Sequence, residues 1–413
     1  MVRILLSLAA AMLAATEPAS AEVPGRNYGP LFESFWSTVR DRYYDPLFRG
    51  TDWNGVRERY RERAQIVRDD DGFAALARAM LAEIPSSHLA IVRPSGSIGA
   101  AGIGARTETF DGAEIVAEVV PLSDAWRQGL RPGDRLLTPE AVRGPLGSRA
   151  TLAVEGCDGE TRQLSIRREG AFWPPEHPGF RWRQIRIGPD TRIGYMRIDR
   201  FDDGAAELAD RAMSELGNSR ALIIDLRGNS GGNASALRLA SYFGAGAEPS
   251  FALLARPYLE SLGHAPTAAD IAAAPRVDRA YTTAAIMAAV STHNGGVVFW
   301  TETVEHPYRR PVFLLIGPET GSAAEGFAWH MRLRTPARLI GRTTAGALLS
   351  ADTVEIGQGW SVTVPVHGSW GPDGQDFIDR PVPPHITVGW TRADLCAGRD
   401  PDFEQALRLA EAG

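Results

Sequence analysis

Pro311-Val312-Phe313-Leu314-Leu315-Ile316 leads, after a short polar turn, into Gly321-Ser322-Ala323-Ala324-Glu325. The apolar run has the length and β-branched content of a buried strand. The residues beyond it read as a helix, with alanine at 323, 324 and 328 and Glu325 in the first turn. A serine at such a junction stands beside free backbone N–H groups and the positive end of a helix. That is the place of an ordinary N-cap, and also of a nucleophile. A nucleophilic serine needs a base, in practice histidine or lysine. The chain has no lysine, and all 44 of its basic residues are arginine. If Ser322 is a nucleophile, its base is a histidine.

Bulk properties narrow the setting. At 413 residues the chain holds about two to three domains. Its net charge of −6 argues against a nucleic-acid partner. Met1-Val2-Arg3, the apolar stretch from Ile4 to Ala15 and Ala19-Ser20-Ala21 form a signal-peptide pattern, with cleavage expected after Ala21. The apolar stretch is too short to span a bilayer, and no later segment has transmembrane length, so an exported protein, periplasmic or secreted, without a transmembrane anchor is expected. The two cysteines, Cys157 and Cys396, are expected to be isolated buried thiols, although an oxidising compartment would allow them to pair. No His, Cys, Asp or Glu cluster has metal-ligand spacing, so neither metal nor cofactor is expected.

Residues 28–85 read as helices. Leu31, Phe32, Phe35, Trp36 and Val39 recur at helical spacing, as do Phe73, Leu76, Met80, Leu81 and Ile84. The helical region ends at Pro85-Ser86-Ser87-His88, and Leu89 to Val92 follow as a short strand. Gly96 to Gly104 is a glycine-rich loop. Short alternating strands then run to about residue 170, interrupted by the turn Leu130-Arg131-Pro132-Gly133-Asp134. From about 183 the pattern becomes strand, helix, strand, which indicates an α/β core. Residues 246–305 have no clean period and read as an insertion or lid. The expected division is a signal peptide over 1–21, a helical region over 22–95, a β-rich domain over 96–170, an α/β core over 171–395 and a C-terminal helix over 396–413.

Besides Ser322, two segments carry chemistry. Asp225-Leu226-Arg227-Gly228-Asn229-Ser230-Gly231-Gly232 follows a buried strand, and its glycines let backbone N–H groups approach a reacting oxygen. A phosphate loop is excluded without a lysine. Ser87-His88 places a histidine at a helix-to-strand junction. Together the three segments resemble the tail-specific (carboxy-terminal processing) serine peptidases, in their tricorn-like branch. The lysine-using branch carries its base in a Gly-x-x-Thr-x-Gly-Lys segment. Here Gly341-Arg342-Thr343-Thr344-Ala345-Gly346-Ala347 has alanine at that place. Between the helical region and the core, Gly102-Ile103-Gly104-Ala105 and Gly129-Leu130-Arg131-Pro132-Gly133-Asp134 resemble a PDZ domain inserted after Ser87-His88.

The resemblance implies a crotonase-like α/β peptidase core with an N-terminal helical region and an inserted PDZ domain. It implies a serine endopeptidase in which Ser322 is the nucleophile and His88 the general base. Ser87 and Asp379 would orient the imidazole; the family's usual residue at the latter position is glutamate, and Pro384-His385 stands where Pro-Asp is usual. The oxyanion would rest on the N–H of Ala323 and of Gly231 or Gly232. A peptide or protein substrate would be held by its C-terminus on Gly102, Ile103 and Gly104. His330 and His385 are the other candidate bases. The competing expectations are a non-catalytic peptide- or ligand-binding protein on the same scaffold and an α/β-hydrolase esterase, which lacks its Gly-x-Ser-x-Gly elbow here.

Overall fold

The computed structural model describes residues 27–94, 101–169, 179–189 and 191–412. The expected signal peptide and the expected borders near 95 and 170 lie outside these residues. Among the described residues, three helices come first: α1 (Tyr28–Arg42), α2 (Trp53–Gln65) and α3 (Asp70–Leu81). Asn27, Asp52 and Asp69 cap them, each side chain accepting from a glycine N–H within the first turn. Their inner faces bury Leu31, Phe35, Val39, Phe73 and Met80 against Trp360, Val362 and Val364 of a late strand.

The short strand β1 (Ala90–Val92) leads to a β-rich unit of β2 (Ala105–Phe110), β3 (Ala113–Val119), the one-turn helix α4 (Asp124–Arg127), β4 (Arg135–Leu136), β5 (Arg149–Glu155) and β6 (Thr161–Arg167). These strands form one antiparallel five-stranded sheet in the order β2-β3-β4-β5-β6. It has its own core, with Ile103, Val116, Leu130, Leu152 and Ile166 buried. Between β4 and β5 the chain makes only a single 3-10 turn, Pro139–Val142.

The α/β part begins with β7 (Phe180–Arg186), β8 (Arg192–Ile198), α5 (Ala205–Leu216), β9 (Leu222–Asp225) and α6 (Ala236–Ala240). Then come β10 (Pro249–Ala255), α7 (Arg256–Leu262), α8 (Ala268–Ala273), β11 (Arg276–Val277), α9 (Thr283–Thr292) and β12 (Gly296–Trp300). The remainder is β13 (Val312–Ile316), α10 (Ala323–Arg334), β14 (Arg338–Gly341), β15 (Ser350–Gly357), β16 (Trp360–Trp370), β17 (Ile386–Thr387), α11 (Arg392–Cys396) and α12 (Pro401–Ala412).

One six-stranded sheet runs β17-β14-β13-β9-β8-β7, parallel except for β7. Every residue of β9 and β13 is buried, as expected of central parallel strands covered on both faces. Helices α5, α6 and α10 pack on one face and α12 on the other. A second six-stranded sheet contains β1, β16, β10, β12 and β11, with β15 paired to β16. Residues 246–305 are thus not an irregular insertion. Their β10 and β12 pair antiparallel and join β16, so the periodicity that locates them depends on partners distant in sequence.

The thiol expectation is overturned. Cys157 and Cys396 form a disulfide with Cα atoms 5.6 Å apart, across a sequence separation of 239. It joins the β5–β6 turn to the end of α11. Arg392 reinforces the junction, donating to the carbonyls of Gly133, Glu155 and Gly156 and to a Glu155 carboxylate oxygen. Gly133 makes the seat, since a Cβ there would lie 2.6 and 2.7 Å from the two sulfurs. The C-terminal helix starts at Pro401 rather than at 396, because residues 392–396 form the separate helix that carries this link.

Candidate active site

Ser322 occupies the tight turn between β13 and α10, with φ 51° and ψ −123°. A non-glycine residue there is strained, and the surroundings fix it. Thr320 Oγ1 accepts from Gly317 N–H and donates to Leu226 O, while Gly321 N–H donates to Asn229 O at 3.0 Å. Gly231 lies so close that a Cβ on it would come within 2.7 Å of Ser322 Cβ. From below, the fully buried Glu325 carboxylate accepts from the N–H groups of Ser322, Gly346 and Ala347 and from Thr344 Oγ1. Burial pushes its pKa up, against those four hydrogen bonds. Glu325 thereby ties the serine turn to the 341–347 loop.

His88 reaches the same place from the other end of the chain. Strand β1 pairs antiparallel with β16, Ala90 opposite Thr363 and Val92 opposite Ser361, which sets the residues just before β1 beside the serine turn. His88 has φ 62°, and its Nδ1 lies 3.1 Å from Ser87 Oγ. Burial lowers its pKa below the usual 6.5, while the negative charge of Asp379 opposes that shift. Asp379, also at positive φ, accepts through Oδ1 from the backbone N–H of Ser87 at 3.2 Å. Its Oδ2 is buried without a hydrogen-bond partner.

His88 and Ser322 line one pocket of about 420 Å³ together with Gly232 and Ala323. With a serine, a histidine and backbone N–H groups converging on it, residues 192–388 match the model of peptidase family S41, and residues 24–82 match the tricorn protease C1 domain. The chain carries a peptidase family S41 domain. Among curated relatives it is 24% identical to the carboxyl-terminal-processing protease of Synechocystis, over 92% of this chain and 86% of that one. It is 23% identical to the carboxy-terminal processing protease CtpB of Bacillus subtilis, over 70% of this chain and 55% of CtpB. Tricorn protease homolog 1 of Streptomyces coelicolor is 24% identical over 94% of this chain and 35% of its own length. The chain therefore spans only about a third to a half of the length of several relatives.

Solved structures share the fold of this chain. The photosystem II D1 C-terminal processing protease superposes with a TM-score of 0.58 at 19% identity, covering 90% of this chain and 97% of that one. Mature CPAF complexed with lactacystin gives 0.61 at 15% identity, covering 93% and 98%.

The geometry sorts the other expected residues. Gly231 is ill placed as an oxyanion donor, because its N–H donates to Asn229 Oδ1 at 2.9 Å. Gly232 N–H and Ala323 N–H meet no acceptor among the described residues and border the pocket. His330 is buried on α10 with both ring nitrogens unpartnered and does not line the pocket; burial and Arg334 pull its pKa down to about 4. His385 exchanges hydrogen bonds with Leu339, accepting through Nδ1 from its N–H at 3.0 Å. Ile103 is fully buried in the β-rich core, and Glu169 N–H donates to Gly102 O. Glu325 was legible only as a helix residue, although the Ser-x-x-Glu spacing of a capping box stands in the sequence.

Proposed function

We propose that this chain is a serine endopeptidase with Ser322 as nucleophile and His88 as general base. The observation that carries the reading is the convergence of the two side chains on one pocket from opposite ends of the chain. Ser322 Oγ attacks the peptide carbonyl and His88 Nε2 takes its proton, later returning it to the leaving amine. That role needs the proton of neutral His88 on Nδ1, where Ser87 Oγ at 3.1 Å is the acceptor. The developing oxyanion rests on the N–H groups of Gly232 and Ala323. Asp379 acts at one remove, holding the Ser87 backbone and supplying the negative charge that favours imidazolium.

The β-rich unit is read as a PDZ domain that holds the substrate by its C-terminus on the Gly102-Ile103-Gly104 loop. Export to the periplasm or beyond is supported by the signal-like start of the sequence and by the disulfide. No helix among the described residues is long and apolar enough to cross a membrane. The test is labelling by a serine-reactive fluorophosphonate. The wild type should label, Ser322→Ala should not, and His88→Ala should label far more slowly. Equal labelling of wild type and Ser322→Ala would remove Ser322 from the site.

A further inference from the structure

The pocket beside Ser322 has an apolar wall that includes Leu237, Phe251, Leu253, Ile286 and Leu348, with neutral polar side chains such as Asn233 and Thr363 beside it. Among the described residues that line it, Arg200 is the one ionisable side chain besides His88. Arg200 immediately precedes Phe201, whose N–H donates to Gly231 O at 2.9 Å and whose carbonyl accepts from Asn233 N–H at 2.7 Å. Arg200 thus leaves a fixed stretch of backbone beside the glycine loop, with its side chain exposed at the pocket's edge.

Its own hydrogen bonding leaves one edge unused. Arg200 Nε donates to Asp202 Oδ1 at 2.7 Å, and neither Nη nitrogen meets a carboxylate among the described residues. A guanidinium held at Nε still offers the paired N–H groups of its outer edge, which match a carboxylate. The neighbouring carboxylate, Asp203, is taken up elsewhere. Its Oδ1 accepts from Asn233 Nδ2 at 2.6 Å and from Thr283 N–H at 2.9 Å, at the start of α9. Asp203 thereby pins α9, with its pocket-lining Ile286 and Met287, to the glycine loop.

We propose that Arg200 is a specificity-determining residue that takes a substrate carboxylate while the apolar pocket takes a neighbouring side chain. The substrate class is a peptide with a large apolar residue near the scissile bond and a carboxylate close by, from an acidic side chain or from the chain terminus. This rests on the peptidase reading above.

Paired peptides test it. One pair differs by Asp against Asn beside the apolar residue, and the other by a free acid against an amide at a nearby C-terminus. The wild type should prefer the carboxylate member of at least one pair by roughly tenfold in kcat/KM, the scale of one charge-assisted hydrogen bond. Arg200→Gln should bring that ratio close to one and Arg200→Lys should keep part of it, and the pair that responds identifies the carboxylate's source. No preference in the wild type, or a ratio that survives in Arg200→Gln, overturns the proposal. Binding of the same peptides to Ser322→Ala, followed by fluorescence anisotropy, separates the two readings. Carboxylate-dependent binding without cleavage by the wild type would refute the peptidase and leave Arg200's role standing.

Discussion

Replacing both cysteines, as Cys157→Ser/Cys396→Ser, removes a crosslink that closes a loop with a sequence separation of 239. Chain-entropy arguments put the stabilisation from so long a loop at about 5.5 kcal/mol, from the freedom denied to the unfolded chain. The four hydrogen bonds of Arg392 across the same junction remain in the variant, so the folded state should keep its domain contact. With an unfolding entropy of roughly 0.8 kcal/mol/K for a chain of this size, the loss corresponds to about 7 °C in Tm if the chain melts as one unit. The assay is a thermal melt of the oxidised protein, the double variant, and the wild type in excess thiol reductant. Both cysteines of the link are exposed, so reductant should reproduce the variant without prior unfolding. A variant melting within a degree of the oxidised protein would refute the loop-entropy reasoning. A reduced wild type that melts differently from the variant would refute the accessibility.

Other outcomes follow from the site. Because burial lowers the His88 pKa and only the neutral imidazole acts as base, kcat/KM should rise with a midpoint below pH 6.5; a midpoint above 7 would contradict this. Asp379→Asn removes the charge that opposes the shift, so the midpoint should move to still lower pH while kcat falls by about one to two orders of magnitude; Asp379→Glu should be tolerated. Glu325→Gln turns an amide NH₂ toward the N–H donors of Ser322, Gly346 and Ala347, and leaving one or two of them unsatisfied should cost about 2–4 kcal/mol of stability in chemical denaturation. Amidating the C-terminus of a substrate peptide should raise KM markedly if the β-rich unit captures a terminal carboxylate, and identical kinetics would exclude that role.

What was legible in the sequence was local. The run 311–316 and the alanine-rich residues after Ser322 carry their periods within one strand and one helix, and the structure places β13 and α10 there. Ser87-His88 stood out because it ends a helical stretch. What stayed hidden depended on partners far along the chain. Strands β10 and β12 are defined by each other and by β16, and α9 is too uniformly apolar to show a face. The cysteine link is fixed by how two units dock, which no spacing rule encodes. Asp379 is singled out in the sequence by position, and its contact is with the backbone N–H of Ser87 rather than with a side chain. Arg200 carried no pattern of its own. What singles it out is its charge, the one ionisable side chain besides His88 among the described residues lining the pocket.

The pairing of β1 with β16 has a consequence in time. A chain emerging from the ribosome, or threading through a membrane, exposes His88 long before Ser322, and Asp379 later still. Until residues 361–363 arrive, nothing holds the histidine where the serine turn will form. The pocket that brings the two side chains together is therefore assembled late, once residues 361–363 have been made. The proposed serine–histidine pair thus depends on the order in which its parts are delivered.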